Sequence, residues 1–342
     1  MKLFREGGPN QVRRIGADKY KLSVRIPSDE SGMVGRECPS DSCSPAYFKI
    51  RPGTGLTGEQ SVAYCPYCRM SSHPAEFHTE SQIAYARAVA VREATPGINE
   101  MLREALGLDY RGKRSLDAGF VSIEMSLTPL VQRPLSRPAE EELQRDVVCH
   151  NCGLEHGVFG LAVWCPDCGE DLFLEHVRAE LAVVQRVLAA IPERRAQLGA
   201  RVAARDVENA LEDVVSIFEA VLKAICRLHL RNTGVTEDDI ASVIEMKVRN
   251  RFQSVAFAAN AFREILGREL FVDIAADDLA AISQTFEKRH PITHNLGVVD
   301  RKYMRRINSG EFLGREVLVS VAEVVASIGI AERVFARAYT GQ

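Results

Sequence analysis

The chain has 342 residues, of which 46% are hydrophobic and 26% are charged, and its formal net charge at pH 7 is -3. This length predicts two or three domains, and the composition is typical of globular proteins. A net charge this close to zero excludes a global electrostatic attraction to nucleic acid or to membranes. Any nucleic-acid surface must therefore be local.

The N-terminal sequence lacks the apolar run of a signal peptide. No uninterrupted apolar stretch approaches the roughly 18 residues that a membrane-spanning helix needs. The sequence therefore predicts a cytoplasmic location and no membrane partner.

Eight of the nine cysteines fall into four close pairs, which are Cys38 and Cys43, Cys65 and Cys68, Cys149 and Cys152, and Cys165 and Cys168. In a cytoplasmic chain, paired cysteines of this spacing indicate metal ligands rather than disulfides. The ninth, Cys226, lies in a helical pattern and is interpreted as a small core residue.

The first two cysteine pairs define a predicted N-terminal zinc-ribbon module at 1–78. Each pair can form a tight knuckle, and two knuckles supply four thiolates for tetrahedral zinc. The first pair is separated by four residues rather than two. Two alternatives therefore stay open: a reduced cluster without metal, or His73 or His78 as a substitute ligand.

The segment at 79–140 is predicted to contain a helical part, a strand and a proline-containing linker. Thr79 is a good helix start, and Pro96 is expected to interrupt the helix before a second short helix resumes. Residues 120–127 alternate apolar and polar side chains, as a strand does.

The other two cysteine pairs define a second predicted zinc-ribbon module at 141–178. Their CxxC sequences are separated by twelve residues, which is a strong zinc signal. In both modules four thiolates fill the coordination shell, so we expect two structural Zn²⁺ ions and no catalytic metal. A zinc hydrolase would need an open coordination position. Neither ribbon has the dense basic cluster with interleaved aromatics that would select nucleic acid over a protein partner.

The rest of the chain is predicted to be helical, with a connecting helix at 179–200 and a helical domain at 201–342. An apolar stripe marks one long helix, and its members are Val207, Leu211, Val214, Phe218, Val221 and Ile225. Further helices are predicted from Thr236 through Ile265, from Ala275 to Arg289 and from Glu316 to Ala338. The predicted fold class is a multidomain α+β chain in which two small β-rich zinc ribbons precede an all-α bundle.

The densest group of chemically active residues is Arg289, His290 and His294. Residues five apart on one helix point about 140° apart, but Pro291 disfavours helical geometry and predicts a turn here. A histidine can move protons near neutral pH, and an arginine can clamp a phosphate whose charge grows during reaction. RNA supplies its own nucleophile, the 2′-hydroxyl, so these groups suffice for strand cleavage without metal. The candidate RNA-binding neighbours are Lys288, Asn295, Arg301, Lys302, Arg305 and Arg306.

This stretch resembles the HEPN-domain ribonuclease family. The resemblance rests on an Arg-polar-x3-His motif, formed by Arg289, His290 and His294, and on the continuation from His294 through Asn-x-Gly-Val-Val-Asp to Tyr303. It implies a HEPN-like helical bundle that forms a homodimer or a higher homo-oligomer and brings two copies of the motif together. It also implies that Arg289 and His294 are catalytic and that His290 fills the polar position beside the arginine.

Members of this family are commonly metal-independent endoribonucleases of toxin–antitoxin, abortive-infection and anti-phage systems. The resemblance therefore predicts RNA as substrate, and an antitoxin or a phage-derived trigger protein as partner. On this hypothesis a monomer should be inactive. The alternative is a non-catalytic regulator, in which the ribbons bind nucleic acid or protein and the helical half serves for dimerisation.

Overall fold

The computed structural model describes residues 4, 10–16, 19–56, 60–118, 121–130, 134–138, 145–307 and 311–340. The chain divides into two compact units. Unit 1 comprises Met1–Phe159 and Cys165–Gly169, and unit 2 comprises Gly160–Trp164 and Glu170–Gln342. Within the described ranges, no helix has both the length and the apolar character that spanning a membrane requires.

Unit 1 consists of short strands and one long helix. Its described strands are β1 (Gln11–Arg14), β2 (Tyr20–Ser23), β3 (Val34–Glu37), β4 (Tyr47–Ile50), β5 (Ala63–Tyr64), β6 (Ser71–Ser72), β7 (Lys113–Ala118), β8 (Val121–Ser126), β9 (Arg145–Val148) and β10 (Glu155–Val158). Strands β1 and β2, β5 and β6, and β7 and β8 form separate antiparallel pairs. The predicted linker at 128–140 lies partly outside the described residues.

The other four strands form one antiparallel sheet in the order β3-β4-β10-β9. The sequence suggested separate modules at 1–78 and 141–178, but β4 pairs with β10, so the two segments share this sheet. Four-residue hairpins are marginal alone, and pairing across the two segments gives each a wider sheet. It also joins Phe48 and Val158, both almost fully buried, in register.

A largely buried ion pair joins Lys49 of β4 to Asp29, which precedes β3. Lys49 is 2% exposed, and its ammonium donates to Asp29 Oδ2 at 2.8 Å. Asp29 also accepts hydrogen bonds from the Met33 amide and the Ser31 hydroxyl. Burial would raise the pKa of Asp29, but the bonds from Lys49, Ser31 and Met33 outweigh it and lower this pKa to about 2. The carboxylate is therefore held in its charged form.

Replacing Asp29 with alanine should destabilise unit 1 by about 3 kcal/mol, since the Lys49 charge would stay buried without a partner. Because the Asp29 pKa is lowered on folding, its stabilisation is present above the ordinary pKa near 4 and is lost as pH falls towards about 2. Urea unfolding at pH 7 and at decreasing pH measures both effects. The exposed neighbour Glu30, changed to Ala, is the control. Equal unfolding midpoints for the two variants at pH 7 would contradict the prediction.

The helix of unit 1, α1 (Glu80–Ala105), is continuous through Pro96. The predicted interruption is therefore wrong. The start is as expected, because Thr79 accepts a hydrogen bond from the Gln82 amide. Ala94 and Thr95 are buried beside the proline, and this packing offsets the helix bond that proline lacks.

Unit 2 is helical and has its own hydrophobic core. Its helices are α2 (Phe173–Ala189), α3 (Ile191–Leu198), α4 (Ala200–Asn232), α5 (Glu237–Val243), α6 (Val255–Leu266), α7 (Ala276–Asn295), α8 (Arg301–Arg306) and α9 (Val321–Thr340). The predicted order of small sheets followed by a helical region is thus confirmed. The apolar stripe of α4 is buried as predicted, and Phe218 packs against Phe286 and Phe335.

The helix predicted from Thr236 through Ile265 is broken. A π-helical turn (Ile244–Val248) and a 3₁₀ turn (Arg251–Gln253) separate α5 from α6. The break occurs at Arg249, whose φ of 48° lies in the left-handed region and whose amide bonds the Ile244 carbonyl at 3.1 Å. This break exposes polar side chains next to α7.

Helix α7 runs through Pro291 to Asn295, so the predicted turn at Pro291 is wrong. Pro291 and Ile292 are both buried, and their packing keeps the segment helical despite the missing amide donor. The helix ends at Leu296, where φ is 49° and the Leu296 amide bonds the Pro291 carbonyl. The motif therefore lies in the last two turns of one helix, not at the start of a new one.

The chain after α7 returns against the segment before α9. Backbone bonds join Val299 to Arg315 and Val317 to Gly297, and Val298 bridges Glu316. The last helix begins at Val321 rather than at the predicted Glu316, because the pairing holds 315–317 and the Ser320 hydroxyl accepts a hydrogen bond from the Glu323 amide at the helix start.

Candidate functional site

The eight paired cysteines form two separate four-cysteine clusters in unit 1. The first consists of Cys38, Cys43, Cys65 and Cys68, and the second of Cys149, Cys152, Cys165 and Cys168. Within each cluster all four sulfur atoms lie within 4.8 Å of one another. His73 and His78 are not among the ligands, since both cap a short 3₁₀ turn by bonding Ala75.

The sulfur geometry of both clusters fits a tetrahedral ion. In the first cluster the Cys38–Cys68 and Cys43–Cys65 sulfurs are 3.7 and 3.6 Å apart. The second has 3.7 and 3.6 Å for its corresponding pairs, Cys149–Cys168 and Cys152–Cys165. A Zn–S bond of about 2.3 Å gives a tetrahedral edge of about 3.8 Å, whereas a disulfide requires about 2.05 Å. The clusters are compatible with two structural zinc ions.

Three of the cysteine knuckles end in a left-handed residue. These residues are Arg69, Gly153 and Gly169, which directly follow Cys68, Cys152 and Cys168 and have φ between 63° and 78°. Gly169 is also confined, because a Cβ there would lie 3.1 Å from the Tyr64 ring. The backbone thus turns sharply enough for both cysteines of each knuckle to face one point.

In unit 2 the three motif residues line one open cleft of about 710 Å³. Arg289, His290 and His294 come from α7, Lys302 and Arg306 from α8, and the opposite wall from the broken segment and α6. The opposite wall supplies Asn250, Arg251, Gln253, Ser254, Phe257 and Asn260. Arg289 and His294 are five positions apart on α7, and both still line the cleft. Its other walls are α8 on one side and α6 with the preceding segment on the other.

Arg289 is held by a chain of hydrogen bonds. Its Nη1 donates to Gln253 Oε1 at 2.9 Å, and Gln253 Nε2 donates to Glu219 Oε2 at 2.7 Å. Lys223 pairs with the same Glu219 carboxylate. The Nε of Arg289 is buried and has no hydrogen-bond partner among the described residues. The guanidinium is anchored through Nη1, and its Nη2 forms no hydrogen bond with any described residue.

The two motif histidines lie one helical turn apart, with ring centroids 5.1 Å from each other. His294 is exposed and His290 is half-buried. The pKa of His290 is lowered, first by its burial and then by the positive charges of Lys302 and Arg306. The lowered pKa favours the neutral imidazole of His290, which is the form that can accept a proton.

Four of the six predicted RNA-binding residues lie on α8. Lys302 and Arg306 line the cleft, and Arg306 also pairs with Glu287 at 3.1 Å. Arg301 and Arg305 are exposed on α8 but are not part of the cleft wall. Within the described cleft, Arg289 and Lys302 are cations without an ion pair.

The other two predicted RNA-binding residues have structural contacts. Lys288 is 12% exposed in its side chain, pairs with Glu323 at 2.6 Å and donates to the Leu318 carbonyl. Asn295 donates to the Val298 carbonyl at 2.7 Å and so closes the turn after α7. The structure thus gives both residues a role in holding the segments around the cleft.

The residues that sequence reasoning missed are on the opposite wall. Gln253 and Phe257 lie in a segment that was predicted as uninterrupted helix, where neither residue type nor spacing marks a site. The local signal was too weak, because the wall forms only when the helix breaks at Arg249. No family model, curated protein or solved structure matches the chain.

Proposed function

We propose that unit 2 is a HEPN-like, metal-independent endoribonuclease and that Arg289 and His294 are its catalytic residues. The observation that carries this proposal is the shared cleft, in which the motif arginine and both motif histidines lie beside Lys302 and Arg306. A clamp of fixed cations next to proton-transferring groups suits a phosphodiester substrate.

In the proposed reaction the 2′-oxygen of the RNA attacks the adjacent phosphorus. The O2′–P bond forms and the P–O5′ bond breaks, which leaves a 2′,3′-cyclic phosphate and a 5′-hydroxyl. A histidine of the cleft accepts the 2′-hydroxyl proton, and the departing 5′-oxygen takes up a proton from a protonated histidine of the cleft or from water. Arg289 stabilises the charge that grows on the phosphate oxygens.

We propose a homodimer as the active form. Three exposed apolar side chains on the paired segments between α7 and α9 support it: Leu296, Phe312 and Leu318 are 81%, 74% and 73% exposed. Backbone bonds at Gly297–Val317 hold the segments that carry these side chains together. Apolar side chains this exposed favour a protein interface.

For unit 1 we propose two structural Zn²⁺ ions and a role in recognising RNA, a trigger or an inhibitory partner protein. The two four-cysteine clusters support the ions, since four thiolates per site match closed structural zinc. The family resemblance supports a toxin or anti-phage role in the cytoplasm.

The test is expression of the wild type and of Arg289→Ala/His294→Ala in bacterial cells, followed by analysis of growth and RNA ends. We expect growth arrest and fragments with 2′,3′-cyclic phosphate for the wild type only. Arg195→Ala/His229→Ala is the matched control, since both residues lie in unit 2 outside the cleft. Cleavage by the double motif variant at the wild-type rate would refute the proposal. RNA binding without cleavage by the wild type would favour the non-catalytic regulator instead.

A further inference from the structure

A second pocket, of about 640 Å³, lies in unit 2 between α4 and the π-helical turn. It is lined by Lys223 and Arg227 from α4, by Arg249 after the π-helical turn, and by Glu245 and Met246 within the turn. Three cations thus face one anion, and Lys223 is already paired with Glu219. Arg227 and Arg249 are both exposed.

The second pocket adjoins the motif cleft. Arg249 lines the second pocket and the next residue, Asn250, lines the cleft, so their Cα atoms are about 3.8 Å apart. The hydrogen-bond chain from Arg289 through Gln253 and Glu219 ends at Lys223, which lines the second pocket. One polar wall therefore separates the two concavities.

Arg249 is held in an unfavourable backbone conformation at this wall. Its φ is 48° and its ψ is -116°, a region that L-residues other than glycine rarely adopt. The side chain forms no hydrogen bond or ion pair with any residue that the structure describes, so it does not compensate for this strain. Strained residues of this kind are concentrated at binding sites, and here the strained residue brings its guanidinium to the second pocket, one position before Asn250 of the cleft.

Each pocket also carries an exposed apolar side chain beside its cations. Phe257 in the cleft is 56% exposed, and Met246 in the second pocket is 64% exposed. An exposed phenyl ring next to arginines is the arrangement on which unpaired bases stack in proteins that bind single strands. A duplex would keep its bases inside the helix and leave this ring unused.

We propose that the cleft and the second pocket form one track for single-stranded RNA. The scissile phosphate lies at Arg289, a base next to it stacks on Phe257, and phosphates of the flanking nucleotides contact Arg249 and Arg227. This inference rests on the proposed function, because it takes RNA as the substrate of the cleft. It adds that the strand is unpaired and that recognition extends beyond the cleaved bond.

The test measures binding of a 12-nucleotide single-stranded RNA with 2′-O-methyl groups at every position, which cannot be cleaved. Arg227→Ala/Arg249→Gly should bind about tenfold more weakly at 0.1 M salt, and its log–log salt slope should be shallower by about 1.4. Glycine is chosen at position 249 because it adopts positive φ without cost, so a loss of binding reports the lost charge and not a lost fold. Arg195→Ala is the control outside both pockets. Unchanged affinity and slope in the double variant would overturn the track.

Two further arms test the single strand. Phe257→Ala should weaken binding about tenfold, and the same sequence in a fully paired duplex should bind more weakly than the single strand. Equal binding of duplex and single strand would overturn the single-strand assignment. If Phe257→Ala changes the oligomeric state and leaves RNA affinity unchanged, Phe257 belongs to a protein interface and the stacking step is wrong.

Failure of the track can be distinguished from failure of the proposed function. If cleavage requires Arg289 and His294 but the affinity for RNA is unchanged in Arg227→Ala/Arg249→Gly, the track is wrong and the ribonuclease proposal stands. If affinity depends on Arg227 and Arg249 but the wild type cleaves no RNA, the ribonuclease fails and the binding track stands.

Discussion

Replacing Cys165 with serine should remove the zinc ion proposed for the second cluster and unfold much of unit 1 at room temperature. Cys165 is fully buried, and its sulfur lies 3.6 Å from that of Cys152. Structural zinc contributes about 10–16 kcal/mol of apparent binding free energy, whereas a domain is stable by only about 5–15 kcal/mol. Strands of two to six residues bury too little apolar surface to compensate for the lost ion.

The effect should extend beyond the second cluster. The strand β10, which follows the Cys149–Cys152 knuckle, pairs with β4, and β4 leads away from the first knuckle. Loss of the second ion would therefore release an edge of the sheet that both clusters use. Unit 2 has its own helical core, so we expect its helical circular dichroism signal to persist while near-ultraviolet signals of unit 1 are lost.

Inductively coupled plasma mass spectrometry measures the zinc content per chain, and circular dichroism measures the loss of structure. Cys226→Ala is the matched control, because Cys226 is buried in α4 of unit 2 and belongs to neither cluster. Burial raises the pKa of Cys226 to about 12, so this thiol stays protonated at neutral pH. The control should keep two zinc ions per chain. If Cys165→Ser also keeps two ions and an unchanged spectrum, the cluster is not a structural zinc site.

Local sequence patterns predicted the cysteine clusters and the buried face of α4. The two cysteines of each pair are only a few residues apart, so their spacing is visible in the local sequence. The apolar stripe of α4 repeats at the helical period over five turns. Neither depends on what a distant segment does. The pairing of β4 with β10 depends on residues about a hundred positions apart, and no local pattern could indicate it.

The two prolines show where local propensity was misleading. Pro96 and Pro291 were both expected to end helices, and both lie inside them. A proline in a helix costs about 3 kcal/mol, and the buried neighbours of each proline offset that cost. Tertiary packing thus decided the path of the chain at the motif. Gln253 was not predicted as a site residue, because its position beside Arg289 depends on the helix break at Arg249 and not on a local pattern.

Replacing Arg289 with lysine should lower the rate of RNA cleavage about 100-fold, although the charge is kept. One donor of the Arg289 guanidinium bonds Gln253. Under the proposed function its remaining donors bind the reacting phosphate. A lysine ammonium has no planar fork and cannot hold both partners in this geometry. The loss of one preorganised donor to a developing charge typically costs about 10²- to 10³-fold.

The same contact predicts a smaller effect for Gln253→Leu, about tenfold on kcat with KM nearly unchanged. Leucine removes both the bond to Arg289 and the bond to Glu219, so the guanidinium loses its anchor but not its charge. Gln284→Leu is the matched control, because Gln284 is exposed on α7 and has no side-chain bond in the described structure.

Initial rates of cleavage over a range of concentrations of a short RNA measure kcat and KM separately for these variants. Adding guanidinium ion should partly restore cleavage by Arg289→Ala, since it supplies the missing planar cation, and it should not restore His294→Ala. If Gln253→Leu cleaves at the full rate while Arg289→Lys is inactive, Arg289 works without the Gln253 anchor. If both cleave at the full rate, Arg289 does not stabilise the reacting phosphate, and the resemblance at this position is structural only.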